Sequence, residues 1–314
     1  MNNNTEKKMN MNRIYLQKNP HTQKEIKEFI ASCEESFEKQ FAEAARMILE
    51  EKGNVYVALS GPTCAGKTTA AKKLRQSIEA AGRTVRFVSL DDFFLPRRTL
   101  IERAEREGTV IDLDSIRAVD YEGMTKCVEG ILAERKVMLP QYDFLAADRS
   151  GYVPFEPKSD DIVIFEGIQA IYPEFRVLFK DVKLISIHIN VGTDLVYNDL
   201  FFDKREIRLM RRLVRDSLFR GASAELTYEL WDGVVINEDN NILPYEEKAS
   251  LFIDSVMPYE INVLRQPLID LLEKVPLDSA YAWRAQAILM KVRNYEPIDP
   301  GYLPENSLYH EFVG

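Results

Sequence analysis

Apolar positions along this chain recur in two rhythms. Across residues 21–52, Ile26, Phe29, Ile30, Cys33, Phe37, Phe41, Ala45 and Ile48 or Leu49 fall at three- and four-residue steps, the spacing that lines one face of a helix. One long amphipathic helix is predicted there, closed by Gly53. Beyond it, apolar-rich runs at 55–59, 84–90, 161–167 and 182–190 read as buried strands, and helical patterns at 69–81, 121–135 and about 174–179 fall between them. Strands alternating with helices predict an α/β fold, a parallel sheet flanked by helices.

The second half of the chain is mostly helical in pattern. Helices are predicted over 203–219, 224–231 and 280–293, with a longer one at 245–274 that Pro258 and Pro267 should split or kink. Residues 96–120 read as a charged loop with a short helix, 137–144 as a short extended piece, and 151–157 as a Gly/Pro-rich connection. The Asn- and Lys-rich first 20 residues are expected to form a mobile tail.

The first strand runs directly into Gly61, Pro62, Thr63, Cys64, Ala65, Gly66, Lys67 and Thr68, then Thr69 and a helix. Strand, loop and helix in that order, with this glycine and lysine spacing, make a P-loop. Its glycines let backbone N–H groups turn toward phosphate oxygens, Lys67 reaches the β/γ-phosphates, and the Thr68 hydroxyl holds Mg²⁺. The fold expected is therefore of P-loop NTPase type, with ATP and Mg²⁺ as cofactors.

Ligands of open parallel sheets sit at the carboxyl ends of the strands, and two acids fall at such ends. Asp91 follows the second strand and is the candidate to accept a proton from an attacking hydroxyl. Glu166 ends the third strand as a Walker-B acid does and joins Thr68 as a metal ligand. Asp92 is expected to serve a structural role. Farther on, Arg208, Arg211, Arg212 and Arg215 stand at i, i+3, i+4 and i+7, which aligns four guanidinium groups on one helical face. Such a face suits a lid over about 203–222 that closes on triphosphate oxygens, with Arg211 and Arg215 joining Lys67 and Asp91 in catalysis and Arg208 and Arg212 binding the nucleotide. The competing structural reading pairs these arginines with Asp203, Glu206 and Asp216.

Composition narrows the class. With 41 Lys and Arg against 50 Asp and Glu, a net charge of −9 argues against a nonspecific nucleic-acid surface. Three widely spaced cysteines make no metal or disulfide framework, and no run reaches the length of a membrane span. A cytoplasmic protein with a small-molecule acceptor, no nucleic-acid or membrane partner and a homo-oligomeric option is expected. The domain plan places a tail and helix at 1–52, the kinase domain at 53–272, and a helix with tail at 273–314.

Taken together, the P-loop, Ser89-Leu90-Asp91-Asp92-Phe93-Phe94, Pro140-Gln141-Tyr142-Asp143-Phe144, Phe165-Glu166-Gly167-Ile168 and the Arg208 to Asp216 stretch resemble the uridine kinase and phosphoribulokinase family of P-loop kinases. Within it, Phe219-Arg220-Gly221-Ala222-Ser223 and the C-terminal Pro304-Glu305-Asn306-Ser307 and Glu311-Phe312-Val313-Gly314 resemble bacterial uridine kinase-like proteins that often carry an N-terminal TGS module, absent here. The resemblance implies that Asp91 is the catalytic base, that Asp114 holds ribose hydroxyls, and that Tyr142 flanks the base, with Phe94 and Arg149 completing the acceptor set. Phe94 and Ala147 stand where the family's uridine kinases have Tyr and His, so two polar readers of a pyrimidine are missing. The activity implied is transfer of the γ-phosphoryl group to a primary hydroxyl, foremost the 5′-hydroxyl of a ribonucleoside; a sugar phosphate or pantothenate acceptor, or a nucleotide-binding switch with little turnover, are the alternatives.

Overall fold

The computed structural model describes residues 13–16, 19–109 and 115–314. In chain order it runs β1 (Arg13–Leu16), α1 (Gln23–Leu49), β2 (Val55–Ser60), α2 (Lys67–Ala80), β3 (Val85–Ser89), α3 (Arg97–Glu107), α4 (Tyr121–Leu132), β4 (Val137–Asp143), β5 (Asp148–Phe155), β6 (Ile162–Glu166), α5 (Pro173–Arg176) and β7 (Leu184–Asn190). It continues through β8 (Asp194–Tyr197), β9 (Leu200–Phe202), α6 (Lys204–Arg220), α7 (Ala224–Asn241), α8 (Leu243–Glu246), β10 (Leu251–Asp254), α9 (Glu260–Leu272), α10 (Ala282–Val292) and α11 (His310–Val313).

Five strands form one parallel sheet in the order β10-β7-β2-β6-β3. The centre is β2, whose six residues are all buried, as a strand covered by helices on both faces must be. Its neighbours β6 and β7 come later in the chain, so the strand order reverses there. The loop after β2 opens at that switch point, where an α/β sheet leaves a crevice for ligand.

Each face of the sheet buries its own cluster. On one side Val57, Leu59, Ile164 and Ile187 meet α1, α2, α6 and α9; on the other Ala58, Val88, Val163 and Phe165 meet α4 and the Phe175 to Phe179 turn. The long helix α1 starts with a capping box between Thr22 and Glu25 and packs its apolar stripe on α2.

Several expectations needed correction. Within the expected N-terminal tail, Arg13–Leu16 pairs in parallel with β8, Ile14 opposite Leu195, in a small sheet completed by β9; residues 1–12 and 17–18 lie outside the described residues. The 151–157 connection lies largely within β5, which forms an antiparallel hairpin with β4. Helix α7 runs ten residues past the predicted end at 231, and the predicted helix at 245–274 contains a strand, β10, before α9 begins. Pro258 falls just ahead of α9 and Pro267 inside it.

Candidate active site

The P-loop residues curl where β2 ends, and sterics explain the glycines among them. A Cβ on Gly61 would collide with the Ile189 carbonyl oxygen of β7, and Gly66 sits at φ 97° against Leu308. Both positions therefore favour glycine. Cys64 also adopts a left-handed φ, 58°, and is buried, a small filler under the loop. Lys67 opens α2 and folds back with its Nζ 3.4 Å from the Pro62 carbonyl. Thr68 is exposed and Thr69 buried.

Three strand ends deliver their side chains to this loop. The Leu90 amide donates to the Glu166 carbonyl at 2.8 Å and the Gly167 amide to the Leu59 carbonyl at 3.2 Å, which ties the ends of β2, β3 and β6 together. Asp91 begins a single helical turn after β3. Burial pushes its carboxyl above the ordinary aspartate range; Lys67 and the Gln169 amide pull the other way, and Asp92 adds repulsion. Glu166 is likewise raised by burial, with Lys67 opposing and Asp91, Glu311 and Asp92 repelling. One lysine thus faces two carboxylates that neighbour each other, an arrangement found where acid and base chemistry is performed.

Asp92 does the structural work expected of it. Its Oδ1 accepts the Tyr142 amide at 3.1 Å, pinning β4 beside the turn that carries Asp91. The hairpin then presents Tyr142 and Phe144, whose ring centroids lie 5.8 and 6.3 Å from that of Phe94. These rings form a partly exposed aromatic wall next to Asp91. Arg149 donates to Asp120 at 3.1 Å and to Tyr152 at 2.9 Å, which fastens the hairpin to the N-terminus of α4, where Asp120 caps Gly123. Asp114 lies outside the described residues.

The arginine face of α6 is the main correction. Arg208 is 1% exposed and paired with Glu238; Arg211 is fully buried, with Nε to Glu260 at 2.8 Å and further bonds to Ser255, Tyr309 and, at 3.3 Å, the Cys64 carbonyl. These two are not free lid groups: both guanidinium groups are buried against carboxylates inside the fold, although Arg208 Nη1 has no hydrogen-bond partner among the described residues. Arg211 braces the phosphate loop from behind. The reason is that α6 is enclosed, burying Ile207, Met210, Leu213 and Val214 as well, and helical spacing shows which residues share a face without showing what covers it. Arg212 and Arg215 both pair with Asp216, at 3.2 and 2.8 Å. Arg215 keeps partial exposure and feels Cys64 and Glu311, so of the four it stands nearest the role expected.

Two site residues carry little sequence signal. Gln169, three positions after Glu166, is fully buried and neither of its amide atoms makes a hydrogen bond of ordinary geometry, yet it lies close enough to Asp91 to lower its pKa. Glu311, from the C-terminal segment, accepts hydrogen bonds through Oε1 from the Thr69 amide at 2.5 Å and from the Thr69 hydroxyl. An anion is therefore already seated at the start of α2, and the donor set fits a phosphate there. Thr68 and Glu166 offer the hard oxygen atoms that Mg²⁺ takes alongside water and phosphate; among the described residues no cluster of three or more His, Cys, Asp or Glu could hold a metal. Among the same residues no helix is long and apolar enough to cross a membrane.

A model of the Phosphoribulokinase / Uridine kinase family matches residues 56–262. The chain is 31% identical over 166 residues to uridine-cytidine kinase C of Dictyostelium discoideum, a match covering 51% of this chain and 34% of that protein. It is 26% identical over 240 residues to a uridine kinase of Halobacterium salinarum, covering 73% and 91%. A solved structure from Bacillus stearothermophilus, described as a possible uridine kinase, aligns with TM-score 0.47 and 18% identity over 70% of this chain and all of that one.

Proposed function

The chain belongs to the phosphoribulokinase and uridine kinase family of ATP-dependent kinases, and on that premise we propose that it transfers the γ-phosphoryl group of ATP to the 5′-hydroxyl of a ribonucleoside. The observation that carries the reading is Asp91, held beside Lys67 and Glu166 at the strand ends. A hydroxyl entering against Asp91 loses its proton to that carboxylate as its oxygen attacks phosphorus. Burial that raises the Asp91 pKa makes the carboxylate a better proton acceptor near neutral pH. Lys67 and Arg215 place positive charge where the transferred group gains negative charge. Mg²⁺, held by Thr68 and Glu166, would neutralise the donor phosphates.

The aromatic wall of Phe94, Tyr142 and Phe144 favours a planar base over a compact sugar, and the two relatives above are named a uridine-cytidine kinase and a uridine kinase. Arg117, an alternative anchor for a phosphorylated acceptor, is instead paired with Glu107. The test is ADP release across a panel of ribonucleosides, sugar phosphates and pantothenate, with each product identified by mass. ADP release only with phosphorylated sugars or pantothenate would overturn the nucleoside assignment, and none with any acceptor would overturn the transfer itself.

A further inference from the structure

A carboxylate from the C-terminal segment sits on the phosphate cradle. The first amides of a helix have no acceptor within the helix, and with the helix dipole they favour an anion. At the start of α2 that anion is the Glu311 carboxylate, which takes both the Thr69 amide, at 2.5 Å, and the Thr69 hydroxyl. Its charge also reaches Glu166, whose pKa it helps to raise, and Arg215. A phosphate entering the loop meets a negative charge already holding its donors.

The backbone carrying Glu311 is firmly placed. Tyr309 is fully buried and bonds Arg211 through its hydroxyl at 2.9 Å. Phe312 is 1% exposed, Leu308 packs where a Gly66 side chain would stand, and Ser307 lies 3.2 Å from the Tyr259 hydroxyl. Peeling this segment away would expose three large apolar side chains that burial favours. The Glu311 side chain itself is only partly buried and can turn on its own rotamers while the segment stays in place.

We propose that Glu311 is a donor-site residue that competes with a donor phosphate for Thr69, swings out when the donor binds, and so sets donor affinity. The inference rests on reading residues 61–68 as a triphosphate cradle. Charge-assisted bonds are roughly twice as strong as neutral ones, so replacing the carboxylate with an amide should tighten polyphosphate binding about tenfold. A contact serving only to hold the fold would do the reverse, since its loss loosens the loop.

The experiment is calorimetric titration of the full chain with inorganic tripolyphosphate and with Mg-ADP, using wild type, Glu311→Gln, Glu311→Ala and Lys67→Ala. Tighter binding of both ligands by both Glu311 variants, with binding lost in Lys67→Ala, is the expected result. Unchanged or weaker binding by the Glu311 variants, while Lys67→Ala still loses it, overturns the competition and leaves the cradle standing. Binding that ignores Lys67→Ala overturns the cradle and this inference with it.

Discussion

Arg211 and Glu260 meet wholly out of solvent through two hydrogen bonds, Nε to Oε2 at 2.8 Å and Nη2 to Oε1 at 3.1 Å. The same guanidinium touches the Cys64 carbonyl of the phosphate loop and the Tyr309 hydroxyl. Burial works against its charge, and Glu260 and Tyr309 outweigh burial, so the group stays protonated. Breaking a buried pair from one side leaves a charge without a partner. Arg211→Ala is therefore expected to cost about 3–5 kcal/mol of stability, read as a lower denaturant midpoint. An unchanged midpoint with lost turnover would return Arg211 to the catalytic set.

Arg215 is expected to behave oppositely. It is partly exposed and feels Cys64 and Glu311, and under the proposed function it would contribute positive charge to the transferring group rather than support to the core. Arg215→Ala should lower kcat about 100-fold with less loss of stability than Arg211→Ala. A kcat within twofold of wild type would remove it from the mechanism.

Asp91 carries a paired prediction. Asp91→Asn should reduce kcat by at least about 100-fold, the lower end of general-base contributions, while ATP binding by calorimetry persists. Because Asp91 and Glu166 titrate higher in the folded chain than their ordinary values of 3.8 and 4.5, the folded state holds protons the unfolded state has lost. Stability contributed at low pH is thus lost as pH rises from those values through the folded pKa values. At neutral pH both neutral variants, Asp91→Asn and Glu166→Gln, should melt higher than wild type, and in wild type the acid limb of kcat/KM should lie above the usual aspartate range. Lower melting of both variants at pH 7 contradicts this.

Gln169 has no ordinary hydrogen bond for either amide atom although it is buried. Leaving such a group unpaired costs about 1–3 kcal/mol, and under the proposed function the acceptor or the transferring phosphate would be its partner beside Asp91. Gln169→Leu should stabilise the free protein and lower kcat/KM for the acceptor about tenfold. Unaltered kcat/KM would reduce Gln169 to a packing residue.

How far the sequence reached depends on what each feature rests on. The phosphate loop, Asp91 and Glu166 were legible because a motif and three buried apolar runs place them without any tertiary knowledge. Strand β10 was not, since Leu251, Phe252 and Ile253 are too few to show a period amid helix-compatible neighbours. Helix α7 was cut short by Gly233 and the β-branched Val234, Val235 and Ile236, whose weak propensity tertiary packing overrides. The arginines of α6 showed their common face but not its covering, because Glu238 and Glu260 come from elements 30 and 49 residues away. Gln169 belongs to no pattern a linear reading can weigh, and Glu311 stands in a C-terminal stretch that carries the resemblance but gives no hint of its place; only folding makes them neighbours of Asp91 and Thr69.

The hairpin offers a test of acceptor reading. Ala147 sits at φ 51° in the β4–β5 turn, a conformation His adopts more readily than Ala. Introducing Ala147→His with Phe94→Tyr adds two hydrogen-bonding groups around the aromatic wall and should raise kcat/KM for uridine by tenfold or more relative to a purine nucleoside. Equal gains for both bases would show that these positions do not discriminate.

The contact between Thr69 and Glu311 joins residues 242 apart in sequence, and Leu308 seats on Gly66 across a similar span. The start of α2 is thus closed by long-range contacts, so the chain between Thr69 and Glu311 must be ordered before those helix amides gain their carboxylate acceptor.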